Sequence, residues 1–486
     1  MNRRSFLRIS AGAGIVTAAT VGAVVYKFES GRDYFVSTSG NDSNSGVTRD
    51  DPWQSIARLN NAIADGTIRS GDTIKFRRGD EFFGNIRTER PAGQPPSRLG
   101  ITGYGSGARP IISAYKVVDR ADAWSPVAPR LWRVDLTDTA KLGGNRENRS
   151  GNVGFLRVDG SIEGSKKWGI HELKLEWDFY SDGRHLFVCL RENPTSATED
   201  LRIAVDGPVI GATSDLLVAG LDIVGSGGSG YQQNGAHNTE IVDCFIHEIG
   251  GAELAGGRRY GNAIDLAMGA SSARVRSSDI FDVYDTAYSV TDGIHGSAVA
   301  ASSCTFEYNR VWNTARVFRY GAYGPVRSPE GASTGCSVNS NFCMNTGRPW
   351  GSSMVPVQPG IGSVILIDGH HPAGIEFSRN TIFNAYDSYI ATPAAGHDKL
   401  SGYTMDHNVI VLRPQTRIQF PGRYVVDNAN AWAAATGQDS NSEWFQTLAF
   451  FPSPHDAMKY VARHSDTAED LHRLLTSNRS GRTCAY

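Results

Sequence analysis

The sequence predicts an all-β parallel solenoid with an N-terminal capping helix and an inserted antiparallel β subdomain. One short pattern occurs seven times between residues 216 and 411: an apolar residue, two residues, a small or Asn position, one residue and a second apolar residue. The copies are 23 to 39 residues apart, a spacing that is typical of solenoid coils. They read VAGLDI, IVDCFI, VRSSDI, FEYNRV, VNSNFC, FSRNTI and MDHNVI.

The pattern favours a strand, a bend and a second strand over a helix, because polar residues separate its apolar positions. Stacked in parallel, such coils bond to one another through their backbones and bring like side chains together. An Asn at the bend can donate and accept along the stack, and Asn tolerates the left-handed conformation. The column at the small or Asn position is Leu221, Cys244, Ser278, Asn309, Asn341, Asn380 and Asn408.

These repeats resemble the right-handed parallel β-helix proteins, the pectin-lyase-like group of pectate, alginate and chondroitin lyases, polygalacturonases and related hydrolases. The resemblance covers roughly residues 33–437. It implies a right-handed parallel β-helix solenoid and a polysaccharide substrate, whereas fold alone does not identify the reaction.

Composition agrees with a turn-rich protein that has no polyanion-binding excess of base. The 486 residues carry a formal charge of −2 and include 54 glycines, so nucleic acid is not an expected partner. Six cysteines show neither metal-type pairs nor a disulfide-dense framework.

Residues 1–28 are predicted to be a twin-arginine signal peptide. Residues 2–8 read NRRSFLR, which resembles the twin-arginine consensus, and a weakly apolar run follows. The run is shorter than the about 20 residues of a spanning helix, although a retained membrane anchor is the alternative. We therefore expect a periplasmic or secreted protein with no stable membrane span after the signal is removed.

Residues 33–115 are predicted to form the N-terminal cap and the first rungs of the solenoid. The stretch from Ser55 to Ala64 is amphipathic and follows Asp51-Pro52-Trp53, so we expect it to plug the open end of the solenoid. The pattern then disappears over residues 117–205, where short alternating strands and four tryptophans predict the inserted subdomain. Trp168 and Trp177 have flat apolar faces that suit sugar rings, but a role in the core is the commoner one for tryptophan.

The main parallel β-helix is predicted over residues 206–437, and residues 438–486 are predicted to form a C-terminal cap or tail with an amphipathic helix at 455–476. Cys304 and Cys336 occupy equivalent positions in consecutive coils. We expect them to stack, either as a disulfide or as inward thiols.

Alternation along the strands after each bend predicts a polar outer face. Ile264, Leu266, Tyr288, Val290, Phe318 and Tyr320 are expected to point inward. Asp265, Ser289 and Arg319 then point outward, and Asp285, Arg316 and Arg348 are expected to stack at one corner. A further column, Glu248, Asp282, Asn313, Asn345 and Asn384, is predicted to be structural.

This outer face is the predicted active site, because an elongated sheet surface fits an extended polysaccharide. Arginines along it suit carboxylated or sulfated sugars, whereas solvated salt bridges are the simpler explanation. The candidate catalytic residues are Asp265, Asp285, Asp292, Arg316, Arg319 and His295. The candidate substrate-binding residues are Arg258, Arg259, Tyr320, Arg327, Glu330 and Arg348.

Two reaction types remain open. A hydrolase needs two carboxyl groups about 5 to 9.5 Å apart, which Asp265, Asp285 and Asp292 can supply from adjacent rungs. A lyase needs a base, and with no lysine between Lys174 and Lys399 that base would be an arginine or a His295–Tyr320 pair. The missing lysine favours the hydrolase. A C5-epimerase and a non-catalytic carbohydrate-binding or adhesin solenoid are also consistent with this face.

No metal site is predicted with a recognised ligand spacing. Calcium remains an alternative for a lyase and for the Gly/Asn/Ser loop at 40–46, which is more typical of a turn. His370 and His371 are adjacent on a predicted strand end, so they point to opposite faces and do not suggest zinc.

Overall fold

The computed structural model of the chain describes residues 27–254, 257–292, 300–322, 334–347, 350, 363–369, 374–386, 388–391, 402–414, 416, 418–419, 425–426, 429–451, 453–465 and 474. The predicted signal peptide, His295, Arg327, Glu330, Arg348, His370 and His371 lie outside these residues. In the described part, no helix is both long and apolar enough to cross a bilayer.

The N-terminal region contains one capping helix and the first strands of the solenoid. Helix α1 spans Ile56–Ala64 and begins at Ser55, whose side chain accepts a hydrogen bond from the Arg58 backbone N–H. Its apolar face is buried at the end of the solenoid core. The strands are β1 Asp33–Val36, β2 Thr73–Arg77, β3 Glu81–Phe83, β4 Ile86–Arg87, β5 Leu99–Tyr104 and β6 Ile111–Ser113.

The inserted subdomain is antiparallel, as predicted, and has a hydrophobic core of its own. Its two sheets have the orders β10-β7-β15-β11-β12 and β13-β14-β9-β8. A short helix, α2, spans Pro194–Ala197. The strands are β7 Lys116–Val117, β8 Trp124–Ala128, β9 Leu131–Asp135, β10 Gly143–Gly144, β11 Val153–Val158, β12 Ser161–Glu163, β13 Phe179–Ser181, β14 His185–Cys189 and β15 Leu201–Val205.

The remaining strands complete the solenoid. They are β16 Ile210–Ala212, β17 Leu216–Ala219, β18 Asp222–Ser226, β19 Tyr231–Asn234, β20 His237–Val242, β21 Phe245–Ile249, β22 Ala252–Leu254, β23 Arg258–Tyr260, β24 Ile264–Ala267, β25 Ser271–Arg276, β26 Asp279–Asp292, β27 Thr305–Glu307, β28 Arg310–Ala322, β29 Cys336–Asn339, β30 Phe342–Met344, β31 Ser363–Gly369, β32 Ile375–Ser378, β33 Thr381–Ala385, β34 Ser388–Ala391, β35 Tyr403–Asp406, β36 Val409–Leu412, β37 Ile418–Gln419, β38 Val425–Val426 and β39 Glu443–Gln446. Helix α3 spans Ala429–Thr436 and α4 spans Pro454–His464.

Three parallel sheet faces surround one apolar core, which confirms the parallel β-helix. Sheet A has the order β1-β2-β5-β17-β20-β25-β27-β29-β32-β35, and sheet B has the order β3-β6-β18-β21-β26-β28-β30-β33-β36-β39. Sheet C contains β4, β16, β19, β24, β31 and β34, and it joins sheet B because β26 and β28 run through both. The six side chains predicted to point inward are all buried in the core. Helix α4 packs outside sheet B against an apolar cluster that includes Phe281 and Trp312.

The Asn column forms a buried ladder along the bends between sheets A and B. The Oδ1 of Asn341 accepts from the backbone N–H of Asn309 at 2.9 Å, and the Oδ1 of Asn380 accepts from that of Asn341 at 3.0 Å. The ladder continues to Asn408 and ends on Asp439. The left-handed residue is the one before each ladder position, for example Tyr308, Ser340 and Arg379, which corrects the expectation that Asn itself would adopt it. The ladder side chain points inward and replaces the backbone bonds lost at the bend.

The second predicted column is also structural. Glu248, Asp282, Asn313, Asn345 and Asn384 all have positive φ, and Asn384 Nδ2 donates to Asn345 Oδ1 at 2.6 Å. Cys304 and Cys336 are buried in the core as thiols and not as a disulfide, so the inward-thiol alternative is confirmed.

The ladder gives a direct stability prediction. We expect Asn341→Ala to lower the free energy of unfolding by about 1–3 kcal/mol, because it removes the side-chain partner of two backbone groups on the neighbouring rung, Asn309 N–H and Phe306 O. Chemical denaturation measures the change. Ser337→Ala, at a partly buried position of the preceding strand β29, is the control and is expected to change stability by less than about 0.5 kcal/mol. An equal loss in both variants would contradict a special role for the ladder.

Candidate active site

One column of side chains runs along the outer face of sheet C. The strand register places Arg87, Gly211, Gln232, Asp265, Ser289 and Arg319 on successive rungs. We call these six residues the outer column. Asp265 and Arg319 are partly buried there, whereas Ser289 is fully buried. The predicted outward placement of Asp265 and Arg319 thus follows from the observed register.

Asp265 lies in an environment that favours its protonated form. Burial raises the pKa of this carboxyl above its usual value, and the charge of Asp285 raises it further. Hydrogen bonds from Gln232 and Asn262 and the charge of Arg319 oppose the shift without cancelling it. The Nδ2 of Asn262 donates to Asp265 Oδ1 at 3.3 Å. A carboxyl that keeps its proton to a higher pH than usual is suited to act as a general acid.

Asp285, in contrast, is paired with an arginine. It precedes the segment of β26 that pairs with β24, and its Oδ1 accepts hydrogen bonds from Arg316 Nη1 and, at 2.9 Å, from Thr286 Oγ1. Asp285 and Arg316 are both buried, so the ion pair is shielded from solvent. The predicted corner stack is therefore present for these two residues, and its third member, Arg348, lies outside the described residues.

The inserted subdomain contributes a carboxylate that the sequence did not indicate. Asp206 follows β15, and its Oδ1 accepts a hydrogen bond from the hydroxyl of Tyr260 on the hairpin strand β23. Burial, Asp206 and Asp265 together hold the pKa of Tyr260 far above its usual range, so its hydroxyl stays protonated. No repeat pattern relates Asp206 to Tyr260, because the two residues come from different structural units.

The two adjacent arginines of this hairpin differ in exposure. Arg258 is exposed, whereas Arg259 is buried, with its guanidinium 4.2 Å from the Trp168 ring and its Nη2 donating to Lys166 O at 2.9 Å. Burial lowers the pKa of Arg259. These contacts dock the inserted subdomain onto the solenoid, so Arg259 has a packing role in addition to any contact with substrate.

A lysine lies beside this hairpin, although the sequence between Lys174 and Lys399, which forms most of the rungs, contains none. Lys166, from the inserted subdomain, is 1% exposed and its Nζ lies 3.3 Å from Glu253 Oε1. Burial lowers the pKa of Lys166 to about 8. The absence of lysine between Lys174 and Lys399 therefore does not exclude a lysine near the site. Burial in a salt bridge nevertheless favours a structural role for Lys166.

Tyr320 corrects one of the predicted site residues. Its side chain is fully buried in the solenoid core, with its ring 6.3 Å from that of Tyr403. It points inward because residues alternate along β28, so it is not exposed to a substrate on the outer face. Asp292 ends β26 with its backbone paired to Ala322, and its side chain lies outside the described part.

A cavity of about 460 Å³ opens at the first rungs of sheet C, beside Asp265. It is lined by residues of β4, β16 and β19, by Asp206 and by the loop that contains Glu147 and Asn148. Gln232 connects it to Asp265, because this side chain lines the cavity and also bonds to the carboxyl.

The described residues contain no cluster of three or more His, Cys, Asp or Glu side chains arranged to hold a metal ion. The acidic residues of the site are instead bonded to arginine, amide and tyrosine groups.

Comparison with known proteins identifies the fold. No protein-family model matches the chain. A lacto-N-biosidase of Bifidobacterium longum is 29% identical over 109 residues, a stretch that covers 22% of this chain and 6% of that relative. Among solved structures, XylC in complex with xylose aligns over 91% of this chain and 81% of its own, with 11% identity and a TM-score of 0.51. A lacto-N-biosidase of Eubacterium ramulus aligns over 86% of this chain and 67% of its own, with 12% identity and a TM-score of 0.38. Together with the strand ladders, the likeness to XylC shows that the chain is a parallel β-helix protein.

Proposed function

We propose that the protein is an exported glycoside hydrolase that cleaves a polysaccharide or oligosaccharide with Asp265 as the general acid and Asp285 as the ionised partner. The observation that carries this proposal is the contrast between two carboxyl groups on consecutive rungs. Burial favours the proton on Asp265, and an arginine neutralises the charge of Asp285. Carboxyl pairs with such divided environments are the usual machinery of glycoside hydrolysis.

The reaction assigns each group a distinct task. Asp265 donates its proton to the glycosidic oxygen as the bond to the anomeric carbon breaks, and the sugar that leaves departs as an alcohol. Asp285 either activates water or attacks the anomeric carbon, depending on the separation of the two carboxyl groups. Asp265 pairs with Ser289, four residues after Asp285, and the charge of Asp285 acts on Asp265, so the two carboxyl groups belong to one site. The Tyr260 hydroxyl and Asp206 lie at the edge of the same site.

The comparisons support a carbohydrate substrate. The structure of XylC contains xylose, and the curated relative from Bifidobacterium longum is a lacto-N-biosidase. Export is an expectation from residues 2–8, and it would place the enzyme where extracellular glycans occur.

A lyase is the second candidate, because Arg319 is on the outer column and its charge acts on Asp265. Arginine can remove the C5 proton of a uronate only if a neighbouring group lowers its pKa. Tyr320 is not available as the base because it is inside the core. A non-catalytic solenoid could bind a glycan on the same face. Binding alone does not require two carboxyl groups in different environments.

Digestion of uronic-acid and neutral polysaccharides tests the proposal. We expect new reducing ends without absorbance near 230–235 nm, because hydrolysis creates no double bond. Absorbance at that wavelength would show an unsaturated product, so the reaction would be that of a lyase and not of a hydrolase. Glycan binding with no cleavage of any substrate in the panel would support the binding solenoid.

A further inference from the structure

The cavity beside Asp265 has the size and position of a binding site for one end of a glycan. Its volume of about 460 Å³ lies within the roughly 300–1,000 Å³ of small-molecule sites. It is located where sheet C begins, because among the described strands β4 pairs only with β16. Asn60 of α1 binds the outer edge of β4: its Nδ2 donates to Asn85 O at 2.9 Å, and its Oδ1 accepts from Arg87 N at 3.0 Å. The sheet surface therefore ends at this cavity.

Gly211 keeps the floor of the cavity open. It occupies the outer column between Arg87 and Gln232, where a side chain would project into the cavity. A Cβ at this position would meet no atom closer than 3.9 Å, and its φ lies outside the left-handed region. Neither backbone strain nor close packing requires glycine at this position. The effect of glycine here is that no side chain fills the cavity.

The charge of the lining opposes an acidic sugar. Three carboxyl side chains line the cavity, against one guanidinium. The three are Glu89, Glu147 and Asp206. Arg87 is itself within 3.5 Å of Glu147, so its charge is partly compensated. The amides of Gln232 and Asn234 complete the wall nearest Asp265. A carboxylated sugar would meet net negative charge, whereas the hydroxyl groups of a neutral sugar can bond to both carboxylates and amides.

We propose that this cavity is the subsite for the terminal, uncharged sugar unit of the substrate. The proposal rests on the proposed function, since it takes Asp265 as the group that acts on the bond next to the cavity. It replaces the expectation of an acidic substrate at this end of the face by a neutral unit. The basic residues of the outer face, such as Arg319, lie on rungs further along the solenoid.

Binding of single sugars tests the proposal without requiring cleavage. Saturation-transfer NMR and titration calorimetry on the Asp265→Asn protein would use D-xylose, D-galactose and D-galacturonate as probes. We expect at least one neutral sugar to bind and the uronate to bind about tenfold more weakly or not at all. Gly211→Trp is expected to abolish the binding of the neutral sugar because the indole fills the cavity, whereas Gly211→Ala leaves most of the volume and retains binding.

The second test asks whether removal of the cavity's carboxylates lets it bind a uronate. The double substitution Glu89→Gln and Glu147→Gln removes two of the three carboxylates without changing side-chain size, so we expect galacturonate to bind several-fold more tightly than in the parent. An unchanged melting temperature shows that each variant is folded. The proposal is overturned if no probe binds, if galacturonate binds as well as the neutral sugars in the parent, or if Gly211→Trp leaves binding intact. If the digestion assay shows no hydrolysis but the sugars still bind, the proposed reaction is refuted and the proposed subsite is not.

Discussion

Replacement of Asp265 by Asn is expected to lower kcat by about 10²- to 10⁴-fold while leaving KM nearly unchanged. The amide keeps the shape of the side chain and can still accept from Asn262, but it carries no proton for the glycosidic oxygen. In the parent enzyme, activity should fall as the pH rises through the pKa of Asp265, which burial raises. That basic limb of the pH–rate profile should be absent from the residual activity of the variant.

The same substitution should not destabilise the protein. Because burial raises the pKa of Asp265 above its unfolded value, the ionised carboxylate opposes folding at neutral pH. A neutral amide removes that cost, so we expect an unchanged or higher melting temperature together with the loss of activity. Such a combination is typical of residues that are retained for catalysis.

Asp279 supplies a matched control on β26, the strand that pairs with the strand of Asp265. It begins β26, six residues before Asp285, and Arg310 Nε donates to its Oδ1 at 2.7 Å, so it repeats the aspartate–arginine pair on sheet B. Asp279→Asn should lower the free energy of unfolding by about 3–5 kcal/mol because a buried arginine loses its partner, while kcat stays at the parental value. If both variants lose activity in proportion to stability, the assignment of Asp265 as the acid is wrong.

Replacement of His247 by Leu is expected to cost about 3–5 kcal/mol of folding free energy. His247 is buried between two carboxylates, with its Nε2 2.8 Å from Asp222 Oδ1 and its Nδ1 3.5 Å from Glu248 Oε1. Glu248 also accepts from Tyr115 and lies 3.1 Å from Arg157 Nε, which connects the solenoid to the inserted subdomain. Leu would leave both carboxylates buried without their shared cation. Denaturant unfolding measures the change.

The pH dependence of stability gives this network a second readout. Burial alone would lower the pKa of His247, but Asp222 and Glu248 outweigh it and raise the pKa to about 10. The stabilisation from His247 is therefore complete below its unfolded pKa of about 6.5 and is lost as the pH rises through 10. Burial would likewise raise the pKa of Glu248, but His247 and Tyr115 lower it to about 2, so its contribution is present above about pH 4.5 and is lost as the pH falls through 2.

A triple variant separates charge balance from packing. His247→Leu combined with Asp222→Asn and Glu248→Gln removes the histidine together with the charges that it neutralises, so it should recover part of the loss and unfold with a weaker dependence on pH. A triple variant that is less stable than His247→Leu by the sum of the separate Asp222→Asn and Glu248→Gln losses would show that the network is not coupled.

The repeat pattern was sufficient to predict the rungs, the Asn ladder and the outward position of Asp265. Each of these follows from local periodicity, because a coil that repeats in sequence repeats its side-chain directions in space. Periodicity also predicted that Tyr320 points inward, and its simultaneous assignment to substrate binding was an error of interpretation. The left-handed bend residue was displaced by one position from the predicted one, since the inward amide and the backbone turn are separate requirements of the bend.

The sequence by itself determined the parallel solenoid and the face on which polar residues collect, because alternation and repetition act along the chain. Only the tertiary structure decided which groups meet across structural units: Asp206 with Tyr260, Lys166 with the hairpin, and the acidic loop with the first rungs of sheet C. These contacts depend on how the inserted subdomain docks, and no period in the sequence encodes that arrangement. Their consequence is chemical as well as structural, since the docking that buries Tyr260 also builds the negative cavity next to Asp265.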